Sequence, residues 1–268
     1  MPHATSSELI SWLALTTKMA VTALFVTAAT IIAERLGAIV GALVATLPFS
    51  AGPVYVFLAL DHDATFISAS ALTSLALNGA TAIFLTVYVL AAQRRSLWIS
   101  ISLAFSAWLS AALALGAVAW TAFPAFVFNV IAFSLCFFIV KPFCLVHMPT
   151  TTRPWYDFVL RAAMVALLVG AVVALSFRIG PTGSGVLAVF PIIYTSIMLI
   201  LHRRVGGPAA AAVLANAIPG LAGFGVALLT LHLAAIPFGS ALALILALGV
   251  AVAWNASVYA VRLRQGVA

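Results

Sequence analysis

Long apolar runs are the feature that most limits how this chain can fold. A run of about 20 apolar residues crosses a bilayer as a helix, and continuous rather than alternating hydrophobicity favours helices over a barrel. The chain has 268 residues, of which 65% are hydrophobic and only 6% charged, too few charges to cover a soluble domain. The sequence therefore predicts an all-α polytopic transmembrane helical bundle of nine spans. They lie at about residues 12–34, 37–60, 65–92, 96–119, 122–146, 157–177, 182–202, 208–232 and 237–261.

The twelve basic residues indicate the orientation of the chain rather than a nucleic-acid surface. They are scattered between the spans, although the formal net charge is +7. An N-terminus outside the membrane leaves only Lys18 and Arg178 on the outer side, and basic residues concentrate on the cytoplasmic side of membrane proteins. We therefore predict a multi-pass protein of a bacterial inner membrane, with its C-terminus in the cytoplasm and the lipid bilayer as its partner. The predicted inner residues are Arg35, Arg94, Arg95, Lys141, Arg153, Arg161, Arg203, Arg204, Arg262 and Arg264.

Rare residues coincide when the chain is aligned with itself at an offset of about 143 residues. The offset crosses five spans, an odd number, so the second copy enters the membrane from the opposite face. This predicts one membrane domain with an inverted repeat, composed of repeat unit A (1–120), a connecting helix (121–149) and repeat unit B (150–268). Inverted repeats are characteristic of secondary transporters. The coincident pairs are Trp12 with Trp155, Lys18 with Arg161, Arg35 with Arg178, Gly37 with Gly180, and Pro48 with Pro191.

Glycine and proline interrupt the second and the seventh predicted helix. A proline frees a backbone carbonyl, and paired interruptions in the two halves indicate a binding site at the midplane. The alternative is that the prolines only kink the helices for close packing, and that the asparagines join helices. The candidate substrate-binding residues are Thr46, Pro48, Ser50, Tyr55, Asn78, Pro191, Tyr194, Thr195 and Asn216.

The two interrupted stretches, RLGAIVGALVATLPFSAGPVY and RIGPTGSGVLAVFPIIYTSIMLI, resemble the GlpM-like bacterial inner-membrane proteins. The resemblance implies one four-helix unit in each half and a suggested connection with exopolysaccharide production, and it offers no catalytic residues. The architecture is more distantly similar to that of small multidrug resistance proteins and of drug/metabolite transporters. The membrane-embedded glutamate of the multidrug proteins has no counterpart, because Glu34 lies at the end of a span.

Two classes of function remain open from these observations. The first is a small-solute transporter or facilitator, with a site for a small polar or anionic solute between the repeats. The second is a non-transporting membrane subunit of an envelope or polysaccharide-export assembly. Signatures of enzymes such as HExxH, GxSxG or a phosphate-binding loop are absent, so we predict neither catalysis nor a cofactor. The acidic residues are interpreted as solvated span ends, and a homo-oligomer is compatible with the sequence.

Overall fold

The structure, a computed structural model, describes residues 6–35, 50–144 and 156–264. These residues form α-helices and a single 3-10 turn (Lys141–Phe143), with no β-strand among them. The helices are α1 (Ser6–Arg35), α2 (Ala51–Asp61), α3 (Ala64–Ala91), α4 (Leu97–Gly116), α5 (Ala122–Val140), α6 (Tyr156–Ala188), α7 (Ile192–Val205), α8 (Gly207–Phe238) and α9 (Ser240–Arg264).

Seven helical segments of the described chain are long and apolar enough to cross a membrane. In this count α6 and α7 form one segment, Val159–Val205, and the shorter α2 is left out. Large apolar side chains such as Leu24, Phe138 and Ile245 are more than 60% exposed, as expected where the solvent is lipid. The prediction of an all-α membrane bundle is confirmed.

Helix α3 is the centre of the bundle, and it runs antiparallel to α8. Ser68 near the start of α3 bonds to His232 near the end of α8, and Asn78 bonds to Leu221 at the middle of both helices. At the far end, a Cβ on Gly207 would overlap with the Ala92 carbonyl oxygen. The helices therefore touch along their whole length. Around this pair, α4 packs on α3, α9 packs on α8, α5 contacts both, and α1 packs on α6.

A break interrupts the membrane segment formed by α6 and α7. Gly180 has φ 66° and ψ −171°, a conformation that is essentially restricted to glycine, and Pro181 follows it. The helical hydrogen bonds resume over a short stretch to Ala188, stop again, and restart at Ile192 directly after Pro191. The predicted interruption at Arg178 thus lies two residues later, because an exposed arginine can continue a helix whereas this φ requires glycine.

Among the described residues, ion pairs join α1 to the end of α2 and α7 to the start of α6. Lys18 Nζ on α1 lies 2.6 Å from Asp61 Oδ2 at the end of α2. Arg204 Nη1 in the last turn of α7 lies 2.7 Å from Asp157 Oδ2 in the first turn of α6, and Asp157 is only 6% exposed. The interpretation of acidic residues as solvated span ends is therefore wrong for Asp157 and does not hold for Asp61. Asp63 is exposed as expected, and its carboxylate caps α3 by accepting from the Phe66 backbone N–H.

Candidate functional site

A line of polar side chains follows one face of α3. Ser70, Ser74 and Asn78 are spaced four residues apart and Thr81 is three further on, so all four project from the same side of the helix. All four are at most 2% exposed. Polar groups within a membrane are costly unless they are paired, and they face the protein interior. We call these four residues the polar face of α3.

The polar face of α3 contacts the broken membrane segment. The Ser70 hydroxyl donates to the Pro181 carbonyl oxygen at 3.0 Å, and the Ser74 hydroxyl donates to that of Gly185 at 2.7 Å. Thr81 donates to the carbonyl oxygen of Val189, just before the second interruption, at 3.3 Å. The helices approach closely, because a Cβ on Gly185 would lie 2.5 Å from the Ser70 carbonyl oxygen. Hydroxyls of α3 thus bind carbonyls of the interrupted helix.

Asn78 joins three helices at the centre of the bundle. Its Nδ2 donates to Asn129 Oδ1 on α5 and to the Leu221 carbonyl oxygen on α8, both at 3.2 Å. Asn129 in turn donates to the carbonyl oxygens of Leu75 and Ala125, so its side chain ties α5 to α3. This arrangement is typical of asparagines that hold membrane helices together.

Two buried polar atoms in this region have no hydrogen-bond partner among the described residues. They are Asn78 Oδ1 and Ser184 Oγ, and the latter lies on the short helical stretch between the two interruptions. Both residues are fully buried. An unsatisfied buried acceptor or hydroxyl costs about 1–3 kcal/mol, so each atom would gain from a polar ligand or a water molecule.

Of the other predicted site residues, Tyr55 contacts the polar face of α3, and those near Pro191 lie at the start of α7. The Tyr55 hydroxyl is 2.6 Å from Ser74 Oγ, so α2 joins the polar face of α3. Pro191 precedes the first turn of α7, and its carbonyl oxygen accepts from the Thr195 hydroxyl at 2.8 Å. Tyr194 is partly buried in the same turn, and Ser50 is partly buried just before α2. Thr46 and Pro48 lie outside the described residues, so their role stays a prediction.

Asn216 has different neighbours from Asn78. Its Nδ2 donates to the Cys144 carbonyl oxygen at 3.0 Å and to that of Ala212 at 2.9 Å. The backbone carbonyl oxygen of Asn216 accepts a hydrogen bond from Arg262 Nη2 on α9. The two asparagines therefore share no hydrogen bond, and Asn216 connects α8 to the chain after α5 and to α9.

Four residues of this contact are not among the candidate site residues predicted from the sequence: Ser70, Ser74, Thr81 and Asn129. Their spacing contains the signal, because polar residues at intervals of three and four on one helix define a single face. Asn129 stands out as a polar residue in an apolar run, but only the packing of α5 against α3 brings it to Asn78.

A lateral groove of about 750 Å³ lies between α5, α8 and α9. Its lining extends from Phe126 to Phe137 along α5 and includes Lys141 directly after this helix and Arg262 of α9. None of the predicted site residues lines it. The polar face of α3 and the lateral groove are thus separate features that meet at Asn129.

Together, the seven long apolar segments and the central polar contact define an integral membrane protein with an all-α fold. Comparisons with protein-family models, with curated proteins and with solved structures found no match to this chain.

Proposed function

We propose that this protein is a transporter or facilitator of a small polar or anionic solute, with nine spans arranged as two inverted repeats. The site lies at the midplane, between the polar face of α3 and the broken segment of α6 and α7, at the interruption of this segment just before Pro191. The observation that carries the proposal is the interruption of this segment opposite a line of buried hydroxyls.

Element boundaries support the inverted repeat. Adding 143 to Ala64 gives Gly207, the first residue of α8, and adding 143 to Leu97 gives Ser240, the first residue of α9. The same offset moves α2 onto residues 194–204, which lie within α7. The second, third and fourth helices of unit A thus have counterparts of similar position in unit B.

The contact between α3 and α8 supports the inversion. Asn78 and Leu221 are hydrogen-bonded and are 143 residues apart, so they occupy equivalent positions in the two repeats. Equivalent helices that run antiparallel and touch at equivalent residues are expected beside a two-fold axis in the membrane plane. The packing of α1 on α6, its counterpart, agrees with such an axis.

The ion pairs add a third correspondence. In each repeat the end of the second helix pairs with the first helix, through Asp61 with Lys18 and through Arg204 with Asp157. Asp61 and Arg204 are equivalent at the same offset, with opposite charges. Inverted repeats would put the two pairs on opposite sides of the membrane.

The broken segment connects this architecture to transport. Non-helical backbone at membrane depth is tolerated where it is buried in protein or lines a wet cavity, and transporters bind their substrates at such breaks. Asn78 Oδ1 and Ser184 Oγ would offer a polar solute two unpaired groups.

The competing function is a non-transporting membrane subunit. The hydrogen bonds of the polar face of α3 favour this function. Ser70, Ser74 and Thr81 already donate to backbone carbonyls, as they would in a permanently packed core. The GlpM-like resemblance fits this function as well and stays a prediction.

Water access to the polar face separates the two functions. In a variant with Cys136 and Cys144 replaced by alanine, Ser74→Cys is treated in membranes with a water-soluble thiol reagent. Ser74 is fully buried, so labelling requires opening of the protein. If the protein is a transporter with alternating access, the reagent should label the cysteine of S74C. The matched control Ala76→Cys, at a position that is 1% exposed on the same helix, should not be labelled. Equal inertness of the two variants contradicts transport through this site.

A further inference from the structure

The lateral groove faces the lipid rather than the bundle interior. Among its lining residues, Val130 on α5 is 50% exposed, and Trp254 and Val261 on α9 are 38% and 52% exposed. These residues belong to helices that are long and apolar enough to span the membrane. The groove is therefore accessible to a molecule that approaches within the bilayer.

Hydrogen bonds fix the walls of the groove. The indole Nε1 of Trp254 donates to the Pro219 carbonyl oxygen at 2.9 Å, and Arg262 Nη2 donates to that of Asn216 at 2.9 Å. Both bonds tie α9 to α8, whose small residues Ala222 and Gly225 line the groove. The groove is thus a preformed depression rather than a gap between loosely packed helices.

One end of the groove is basic. Lys141 directly follows α5 and Arg262 lies in the last turn of α9, and both line the groove. No acidic residue is among its described lining residues. Two of the described carboxylates form ion pairs with other basic residues: Asp61 pairs with Lys18, and Asp157 pairs with Arg204. Two cations at the end of an apolar groove match an amphiphile with an anionic head and an apolar tail.

We propose that the lateral groove binds one anionic phospholipid. Its phosphate lies between Lys141 and Arg262, and an acyl chain extends along α5 towards Asn129. Lipid tails are as apolar as the groove, so burial of the chain gives little preference over the surrounding bilayer. Selectivity must then come from the headgroup, as in other basic pockets between membrane helices. The proposal depends only on the membrane-embedded fold and not on the proposed transport.

Lipid retention measures this preference directly. The full-length protein is purified with an equimolar mixture of phosphatidylglycerol and phosphatidylcholine, and retained lipid is counted by native mass spectrometry. We expect one retained phosphatidylglycerol per protein. In Lys141→Gln the preference should fall roughly fivefold, because a basic residue near the headgroup contributes about that factor. In Lys141→Gln/Arg262→Gln the preference should disappear.

Two further variants serve as controls. Arg264→Gln removes a charge from the same helix outside the groove lining, and it should retain the lipid as the unchanged protein does. Ala222→Phe fills the groove while both cations remain, and it should lose the bound lipid. Equal retention of the two lipids by the unchanged protein overturns the proposal. The same conclusion follows if K141Q behaves like R264Q, or if a second protein chain occupies the groove instead.

Discussion

At the scale of single residues, Asn78 connects three helices at the centre of the bundle. Its NH₂ group donates to α5 and to α8, and its oxygen lacks a described partner. Replacement by leucine keeps the branched shape of the side chain but removes the donors to Asn129 Oδ1 and to the Leu221 carbonyl oxygen. We expect Asn78→Leu to lower the free energy of unfolding by about 1–3 kcal/mol, measured by denaturant titration in detergent.

A double-mutant cycle identifies the origin of this loss. Asn129→Leu removes the same bond from the other side, so Asn78→Leu/Asn129→Leu should destabilise by less than the sum of the single changes. Additive effects would mean that the two side chains do not interact. If N78L leaves the stability unchanged but abolishes activity, the amide serves a ligand instead of the packing.

His62 gives the fold a dependence on pH. It lies between α2 and α3, stacks on Phe66 with ring centroids 3.8 Å apart, and its Nε2 is 2.8 Å from Ser176 Oγ. Burial lowers the pKa of His62 below its ordinary value of 6.5, and the nearby Lys18 also lowers this pKa. The carboxylates of Asp61 and Asp63 raise the pKa, but the effect of burial is larger. The unfolded chain therefore binds this proton more readily than the folded one, and stability falls as the pH decreases below about 6.5.

Thermal unfolding at a series of pH values tests this expectation. The midpoint should decrease from pH 7 towards pH 5, and the decrease should be smaller in His62→Gln, which keeps a hydrogen-bonding side chain. A decrease of the same size in H62Q would assign the effect to other groups.

At the scale of elements, the apolar runs predict helix positions well, because a membrane span needs both length and hydrophobicity. The predicted span at 65–92 corresponds to α3, and the predicted span at 122–146 contains α5. Interruptions were harder to place, since charges mark span ends only approximately. The helix continues past Arg178 to Gly180, and at the other break Pro191 lies just before α7.

The candidate site was predicted less completely than the helices. Tyr55 and Asn78 are part of the central contact, and both stand out as polar residues in apolar runs. Ser70 and Ser74 do not stand out, because serine is common in membrane helices as a packing residue. Their partners are backbone carbonyls, which every residue has, so composition gives no indication of these bonds.

The break at Gly180 leads to a prediction about backbone conformation. Its φ of 66° and ψ of −171° suit glycine alone, although a Cβ there would meet no atom within 4 Å. Gly180→Ala should therefore destabilise by about 1–3 kcal/mol through backbone strain and not through a clash. Gly52→Ala is the matched control, because Gly52 is helical and a Cβ there also has open space. Gly52→Ala should leave the free energy of unfolding unchanged or raise it by up to about 1 kcal/mol.

Denaturant titration of both variants measures the difference. If G180A is as stable as G52A, the backbone of α6 does not need the observed conformation, and the break is a weaker constraint than proposed.

At the scale of the whole molecule, the inverted repeat predicts opposite sides for equivalent positions. Thr65 and Pro208 are 143 residues apart, exposed, and in the first turns of α3 and α8. In a background without native cysteines, Thr65→Cys should react with an impermeant reagent only from outside the cell. Pro208→Cys should react only from the cytoplasmic side. Labelling of both from one side would exclude the inversion together with the nine-span topology.

The contacts of α3 also have a consequence for the order in which the chain is made. Its polar face bonds to Pro181 and Gly185, and Asn78 bonds to Leu221, so these partners are synthesised about 110 to 143 residues later. During synthesis α3 therefore enters the membrane before its partners in the second half of the chain exist, although Tyr55 and Asn129 can already bind to its polar face. A ribosome that stops before α6 leaves a half-protein whose central helix has lost its main partners. We therefore expect a fragment that ends before α6 to be degraded faster in cells than the full-length protein.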